Sequence, residues 1–367
     1  NSTNKIINFE NNNINFCSNH PSSNQPQNSQ SNEIDNIKQS KYDLTLAPKI
    51  TRFYERKQEI EYLSNWILNQ NTPLISVLGL SGIGKSTLVK RFVDLNLKEF
   101  EVIIWKSLKF PKSLDLLVKD VLITCQEKIT ANIDDKLTLL FDVLSDKKCL
   151  IIIDDVQNIF ASGELVGQYQ NIYKDYQNFF KMITEVEHHS NIILISQEQC
   201  AEMHYEELYL IKSLELSGLN KINILKNTGL KDENSWLSLI NLYEGNPMYL
   251  QDIAILIQDV FDGNVAEFLA ENSTTDMLPV VTNKMRSHFN YLFNRLSPIE
   301  QQIILALSKI NQPISREKLR QDLDLSSIDL INGLQSLQQR YLVTKIKTDK
   351  ILFKLAAVFQ EYMRNCY

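Results

Sequence analysis

Gly79-Leu80-Ser81-Gly82-Ile83-Gly84-Lys85-Ser86-Thr87 decides the fold of this 367-residue chain. It satisfies the spacing GxxxxGK[ST], follows an apolar run at residues 73–78 and opens a helical pattern over 86–95. A strand that turns through glycines into a helix aims several backbone N–H groups and the positive helix end at one point, which suits a phosphate group. Lys85 is then placed to reach the β- and γ-phosphates, and the Ser86 hydroxyl to hold Mg²⁺. Gly79, Ser81, Gly82, Ile83, Gly84, Lys85, Ser86 and Thr87 are the expected nucleotide-binding residues of this loop.

A phosphate loop needs a carboxylate opposite it, and Cys149-Leu150-Ile151-Ile152-Ile153-Asp154-Asp155 supplies an apolar strand ending in two acids. Asp154 is expected to hold the metal beside Ser86, and Asp155 to orient an attacking water as general base, with Lys85 as its catalytic partner. Further short aliphatic runs at 102–105, 192–195 and 208–210 alternate with amphipathic stretches, including 56–66, which places Ile60, Leu63 and Ile67 on one face. Such alternation predicts an α/β P-loop NTPase fold with a parallel sheet covered by helices on both faces.

Beyond residue 212 the strand pattern stops. Residues 220–226, 233–244, 247–261 and 265–271 read as helices of a small helical domain. Helices at 298–310, 315–323 and 327–341, then strands at 343–347 and 351–355 around Thr348-Asp349-Lys350, give the layout of a winged helix. The first 40 residues hold 12 Asn, 7 Ser and 4 Gln, too polar to bury a core, so they read as a disordered linker. The expected division is therefore 1–49 linker, 50–212 P-loop nucleotide-binding domain, 213–285 helical domain and 286–367 winged-helix domain.

Net charge is −6, which argues against a chain that coats nucleic acid or an anionic membrane without specificity. The five cysteines lack any CxxC pair, so neither a disulfide framework nor a zinc site is indicated, and a reducing, cytoplasmic setting fits. No apolar run approaches the length of a membrane span. The chain begins at Asn1, which leaves an upstream segment open. His188-His189 and His204 lack metal-site spacing and read as surface loop. In the 327–341 helix the one cation is Arg340, and the positive charge of this region lies on Lys345, Lys347, Lys350 and Lys354 of the hairpin. That distribution makes nucleic acid an unfavoured partner.

Taken in order, several segments resemble the NB-ARC branch of the STAND signalling NTPases, notably its cyanobacterial members. They are Phe53-Tyr54-Glu55-Arg56, the glycine loop, Val102-Ile103-Ile104-Trp105 with Ser107, Asp154-Asp155, the stretch 162–176 and Gly245-Asn246-Pro247-Met248-Tyr249-Leu250. The resemblance runs from about residue 50 to the C-terminus. It implies an ADP/ATP-binding switch for signal transduction or defence, closed with ADP, opening and self-associating with ATP, and at most a slow ATPase. The effector or sensor partner is not specified by it. It further implies that Tyr54, Arg56 and Pro247 flank the adenine, although on the residues alone Gly245-Asn246-Pro247 is equally a turn between two helices.

Two positions depart from the family. Gln197 stands where an arginine usually senses the γ-phosphate, and a neutral amide offers no charged fork. Leu355-Ala356-Ala357 replaces Met-His-Asp, so the histidine that ties the winged helix to the ADP β-phosphate is missing there. The alternative reading is a DNA-binding ATPase or transcription regulator that uses the winged helix.

Overall fold

Nearly continuous apolar runs that are buried on both faces need neighbours on both sides, and the chain satisfies them with a parallel sheet. The structure is a computed structural model and describes residues 41–54, 56–203, 210–271 and 278–367. Six strands, β1 (Lys41–Asp43), β2 (Leu74–Leu78), β3 (Val102–Ser107), β4 (Cys149–Asp154), β5 (Asn191–Ser196) and β6 (Ile211–Glu215), lie in the order β1-β3-β4-β5-β2-β6. Every pairing among them is parallel. The loop strand β2 and the acidic strand β4 thus flank β5, whose end carries Gln197.

Side chains alternate between two apolar layers, Leu74 and Leu78 on one side, Ile75 and Val77 on the other. Helices α1 (Lys57–Ser64) and α2 (Lys85–Leu95) cover the second face, and α3 (Leu114–Thr124), α4 (Ile133–Asp146) and α5 (Asp175–Glu185) cover the first. Cys125, Cys149 and Cys200 are buried free thiols.

The chain then becomes helical: α6 (Glu233–Leu242), α7 (Pro247–Phe261), α8 (Val265–Glu271), α9 (Asn283–Arg295), α10 (Pro298–Ser308), α11 (Arg316–Asp322), α12 (Ser327–Gln339) and α13 (Ala357–Cys366). Strands β7 (Ile314–Ser315), β8 (Val343–Lys347) and β9 (Ile351–Leu355) form a second, antiparallel sheet in the order β7-β9-β8. Ser297-Pro298-Ile299-Glu300 starts α10 with a full capping box, as its sequence dictates.

Four expectations change. The presumed linker, where it is described, contributes β1: the Tyr42 hydroxyl donates to the Leu97 carbonyl at 2.7 Å and Lys106 Nζ to Asp43 at 2.6 Å, partners too distant in sequence to be read locally. Residues 1–40 lie outside the described residues. Of the run at 208–210, residues 208 and 209 also lie outside them, and the strand there is β6. Residues 220–226 form only a 3₁₀ turn, Ile222–Ile224. The expected boundary at 285 falls inside α9, and one apolar core runs from Leu219 to Met363, with Phe289 packed edge-to-face on Tyr249 of α7 (ring centroids 5.6 Å apart) and tilted against Phe359 of α13 (5.4 Å). Among the described residues no helix is long and apolar enough to cross a membrane.

Candidate functional site

The loop from Gly79 to Gly84 leaves the end of β2 and delivers α2 with Gly84 as its first cap. Gly82 is required twice over: its φ is +73°, and a Cβ there would stand 2.4 Å from the Cβ of Met248. At Gly79 (φ +138°) a Cβ would meet the Leu216 carbonyl at 2.7 Å. Other segments therefore press directly on the loop backbone. Asn246 caps α7 by accepting the Met248 N–H, and its Nδ2 donates to the Ser81 carbonyl at 3.0 Å. Pro247 occupies the first turn of that helix, where its missing N–H costs nothing.

Lys85 Nζ donates to the carbonyls of Gly79 (2.8 Å) and Leu80 (2.9 Å). Burial lowers its pKa to about 8 despite the nearby charges of Asp154 and Asp155. Across the sheet, Asp154 is buried at the end of β4 and accepts a hydrogen bond from the Ser86 side chain. Burial, then the neighbouring Asp155, raises its pKa to about 6. Ser86 and Asp154 together form a hard-oxygen pair of the type Mg²⁺ prefers. Asp155 turns into the left-handed region (φ +61°), and its backbone N–H donates to Asp154 Oδ1 at 2.9 Å. It accepts from Ser107 Oγ at 3.0 Å and from Gln157 Nε2 at 3.3 Å, and Gln157 Oε1 in turn accepts the Gln197 N–H at 3.2 Å. One glutamine thereby fixes the ends of β4 and β5 relative to each other.

Tyr54, Arg56, Gly82, Ile83, Gly84, Thr87 and Pro247 all line one cavity of about 190 Å³ beside the loop. The resemblance implies that Tyr54, Arg56 and Pro247 flank the adenine, and the loop motif puts Gly82, Ile83, Gly84 and Thr87 at the phosphates; the fold brings the two sets together around this cavity. The Tyr54 hydroxyl is buried there without a partner, a group that a polar ring edge would satisfy. Arg56 has a second job: buried at 5% exposure, it donates to the carbonyls of Ile83 (3.0 Å) and Ser217 (2.9 Å) and pairs with Glu59, so it braces the loop as well as walling the cavity. Glu55 lies outside the described residues.

Leu355-Ala356-Ala357 serves a different purpose from phosphate contact: the Ala357 N–H donates to Glu244 Oε1 at 3.0 Å, and burial raises the Glu244 carboxyl above its usual range. Sequence reasoning missed His288 on α9. Its Nε2 is buried without a partner, and its pKa is lowered by burial and by the charge of Lys85. Leu292, one turn on, lines a narrow cavity with Leu80 and Ser81. Its i, i+4 spacing to Leu292 is the signal that places it on the loop-facing side. One surface reading is corrected: His188 is buried with Nε2 2.9 Å from the Ile183 carbonyl in a folded-back turn. Arg340, the one cation of the 327–341 stretch, is also buried, in ion pairs with Glu198 and Glu300. His204 lies outside the described residues.

Comparison with known proteins agrees with this geometry. The chain is 28% identical over 340 residues to an uncharacterised WD-repeat-containing protein of Nostoc, covering 87% of this chain and 27% of that protein, so it spans about a quarter of the relative's length. The fold is similar to a Walker-type ATPase of Pyrococcus abyssi (TM-score 0.57, 17% identity, 85% of this chain and 96% of that one). It is also similar to the ORC2 protein of Aeropyrum pernix, solved as ADPNP–ADP complexes (TM-score 0.53, 15% identity, 86% and 94%). Residues 53–253, which include the glycine loop, both acids and the Asn246-Pro247 turn, match the family described as an ATPase domain predominantly from Archaea, and since that span exceeds half of the chain, the protein belongs to this ATPase family.

Proposed function

We propose that this ATPase domain works as an ADP/ATP-binding switch of the STAND type with NB-ARC-like organisation, closed with ADP and opening to self-associate with ATP. The observation that carries the reading is the convergence on one nine-residue loop of groups from three parts of the chain: Arg56 from before the sheet, Asn246 and Met248 from α7, and Leu292 from α9. Hydrolysis alone needs the loop and the acids. Holding the same loop from the helical segments is what a nucleotide-controlled arrangement of parts needs.

In this reading Lys85 holds the phosphate oxygens, Ser86 and Asp154 hold Mg²⁺, and Asp155, aligned by Ser107 and Gln157, accepts a proton from water. Mg²⁺ supplies charge neutralisation on the phosphates when bound. Gln197 contributes an amide instead of a cation, which keeps hydrolysis slow. The test is to purify the protein without added nucleotide, denature it and identify what is released. Stoichiometric ADP, absent from Lys85→Ala, supports the switch; an empty wild-type site with weak affinity for ADP and ATP alike overturns it.

A second reading, DNA binding through a winged helix, is favoured only by the exposed Lys345, Lys347, Lys350 and Lys354. Arg340, the cation capping α12, is spent on Glu198 and Glu300, and α12 exposes Ser327, Ile328, Ile331, Asn332 and Gln335, with no cation among them. Duplex binding that falls with salt and is lost on neutralising Lys345, Lys347 and Lys350 would establish it; no binding at low salt removes it.

A further inference from the structure

One residue past Gln197, Glu198 is buried, and a single oxygen of its carboxylate meets two guanidinium groups. Arg295, the last residue of α9, donates Nε to Glu198 Oε1 at 3.1 Å and lies within 3.0 Å through Nη2; Arg340, capping α12, places Nη1 at 2.7 Å. Each arginine is also tied elsewhere. Arg295 Nη2 donates to the Gln157 carbonyl at 3.0 Å. Arg340 donates through Nε to Glu300 Oε1 at 2.8 Å and through Nη2 to the Glu164 carbonyl at 2.8 Å. The Ser336 hydroxyl donates to the same Glu300 oxygen at 2.6 Å. Glu300 Oε2 accepts the Ser297 N–H that closes the capping box of α10. Two carboxylates and two guanidiniums are thus sealed, in charge balance, between the end of the parallel sheet and α9, α10 and α12.

Such a cluster adds little net stability over apolar packing, but loss of one member leaves a buried charge uncompensated, so the joint responds sharply. Its position gives that response a target. Gln157, whose carbonyl receives Arg295, also holds Asp155 and the Gln197 N–H. On α9, His288, Leu292 and Arg295 recur at one-turn spacing, and Leu292 lies over Leu80 and Ser81 of the loop. We propose that the Glu198–Arg295–Arg340–Glu300 cluster is the latch that holds α9 across the phosphate loop, so that release of bound nucleotide requires breaking this cluster. The inference rests on the nucleotide-switch reading above.

The test uses the full chain and two readouts: dissociation of a fluorescent ADP, and amide hydrogen exchange of α9 and residues 197–199 in nucleotide-free protein. Glu198→Gln sets two guanidiniums against one carboxylate and should speed ADP release on the order of a hundredfold while α9 loses protection. Glu198→Gln with Arg295→Met restores charge balance and should return both readouts toward wild type. Lys318→Ala, which removes an exposed pair with Asp322 on α11, should change neither. Unchanged release and exchange in a folded Glu198→Gln variant, or no recovery in the double variant, overturns the latch. If Glu198→Gln does not fold, Ser336→Ala loosens Glu300 without unbalancing charge, and faster α9 exchange supports the latch while unchanged exchange overturns it. Failure of the wild-type chain to bind ADP would sink the nucleotide reading, and the nucleotide-free exchange data would still decide the latch.

Discussion

On the switch reading, raising the pH from 8 to 9.5 should weaken ADP binding about 15-fold, because the Lys85 ammonium proposed to meet the phosphates has its pKa lowered to about 8 in the free protein. The sign follows from proton linkage. Phosphate contact favours the charged lysine, so above about pH 8 binding must take up a proton, and affinity falls about tenfold per pH unit, or about 1.4 kcal/mol. A lysine at its ordinary value would show no such loss until above pH 10. At the acid end Asp154, raised to about 6, loses its charge as pH falls, and the Mg²⁺-dependent part of the affinity should fall with it. Because a phosphate group itself titrates near pH 6, only the share of the acid limb that Asp154→Asn abolishes belongs to the protein. The assay is equilibrium binding of a fluorescent ADP from pH 5 to 9.5, with and without Mg²⁺. Lys85→Arg should bind more weakly but lose the alkaline limb, since a guanidinium stays protonated throughout. A flat profile to pH 9.5 in wild type, or an alkaline limb that survives in Lys85→Arg, refutes the placement of a buried, charge-starved Lys85 at the phosphates.

Gly82→Ala should destabilise the protein by about 2–5 kcal/mol, from left-handed backbone strain and the collision with Met248, read as a shift in denaturation midpoint. Gly84→Ala, whose Cβ meets nothing within 4 Å, carries strain alone, and an equal loss in the two variants would contradict the α7 contact. Asn246→Ala should cost about 1–3 kcal/mol and speed ADP release, and Asn246→Asp, which keeps the helix cap but not the donor to Ser81, should speed it too; wild-type release from Asn246→Asp would show the Ser81 bond to be idle. Tyr54→Phe deletes an unpartnered buried hydroxyl and should raise the melting temperature of nucleotide-free protein, with a smaller gain in the presence of ADP. The same gain with and without ADP would place that hydroxyl away from the base.

The parts of this molecule legible in sequence are those whose partners are local. The glycine loop, the acids after Cys149–Ile153 and α7 with its Asn246-Pro247 start carry their geometry within a few residues, and α7 runs over the span its pattern indicates. The strands show as apolar runs because both faces of the sheet are covered. What escapes is set by distant partners. β1 has three residues, and its support comes from β3 and from the Leu97 carbonyl. α9, Asn-Lys-Met-Arg-Ser-His-Phe-Asn-Tyr-Leu-Phe-Asn-Arg, is too polar to announce a buried helix, because part of its polar face meets the sheet through Arg295 instead of water. Glu198 finds Arg295 and Arg340 at separations of 97 and 142 residues, too distant in sequence to be read locally. Leu355-Ala356-Ala357 reads as a lost phosphate contact, and only the fold reveals Glu244 as its partner.

The distribution of polar and apolar contacts also bears on where such a switch can open. The segment from Leu219 to Met363 shares one apolar core, tied across α7, α9 and α13 by Tyr249, Phe289 and Phe359 and by the Tyr243 hydroxyl on the Val280 carbonyl. Separating the helical part from the C-terminal helices would re-expose that core, at roughly 25 cal/mol for each Å² of apolar surface, with no compensating bonds to water. The seam between the sheet and α9, α10 and α12 is built differently, from Glu198, Arg295, Arg340, Glu300 and backbone carbonyls, and water can replace most of those bonds once the charges part. On the switch reading the cheaper motion is therefore a swing of the helices beyond Leu219 as one body away from β4 and β5. Gln197 and Gln157 lie on the sheet side of that seam and Leu292 on the other, so the parting surfaces run past the phosphate end of the nucleotide site, where ADP and ATP differ.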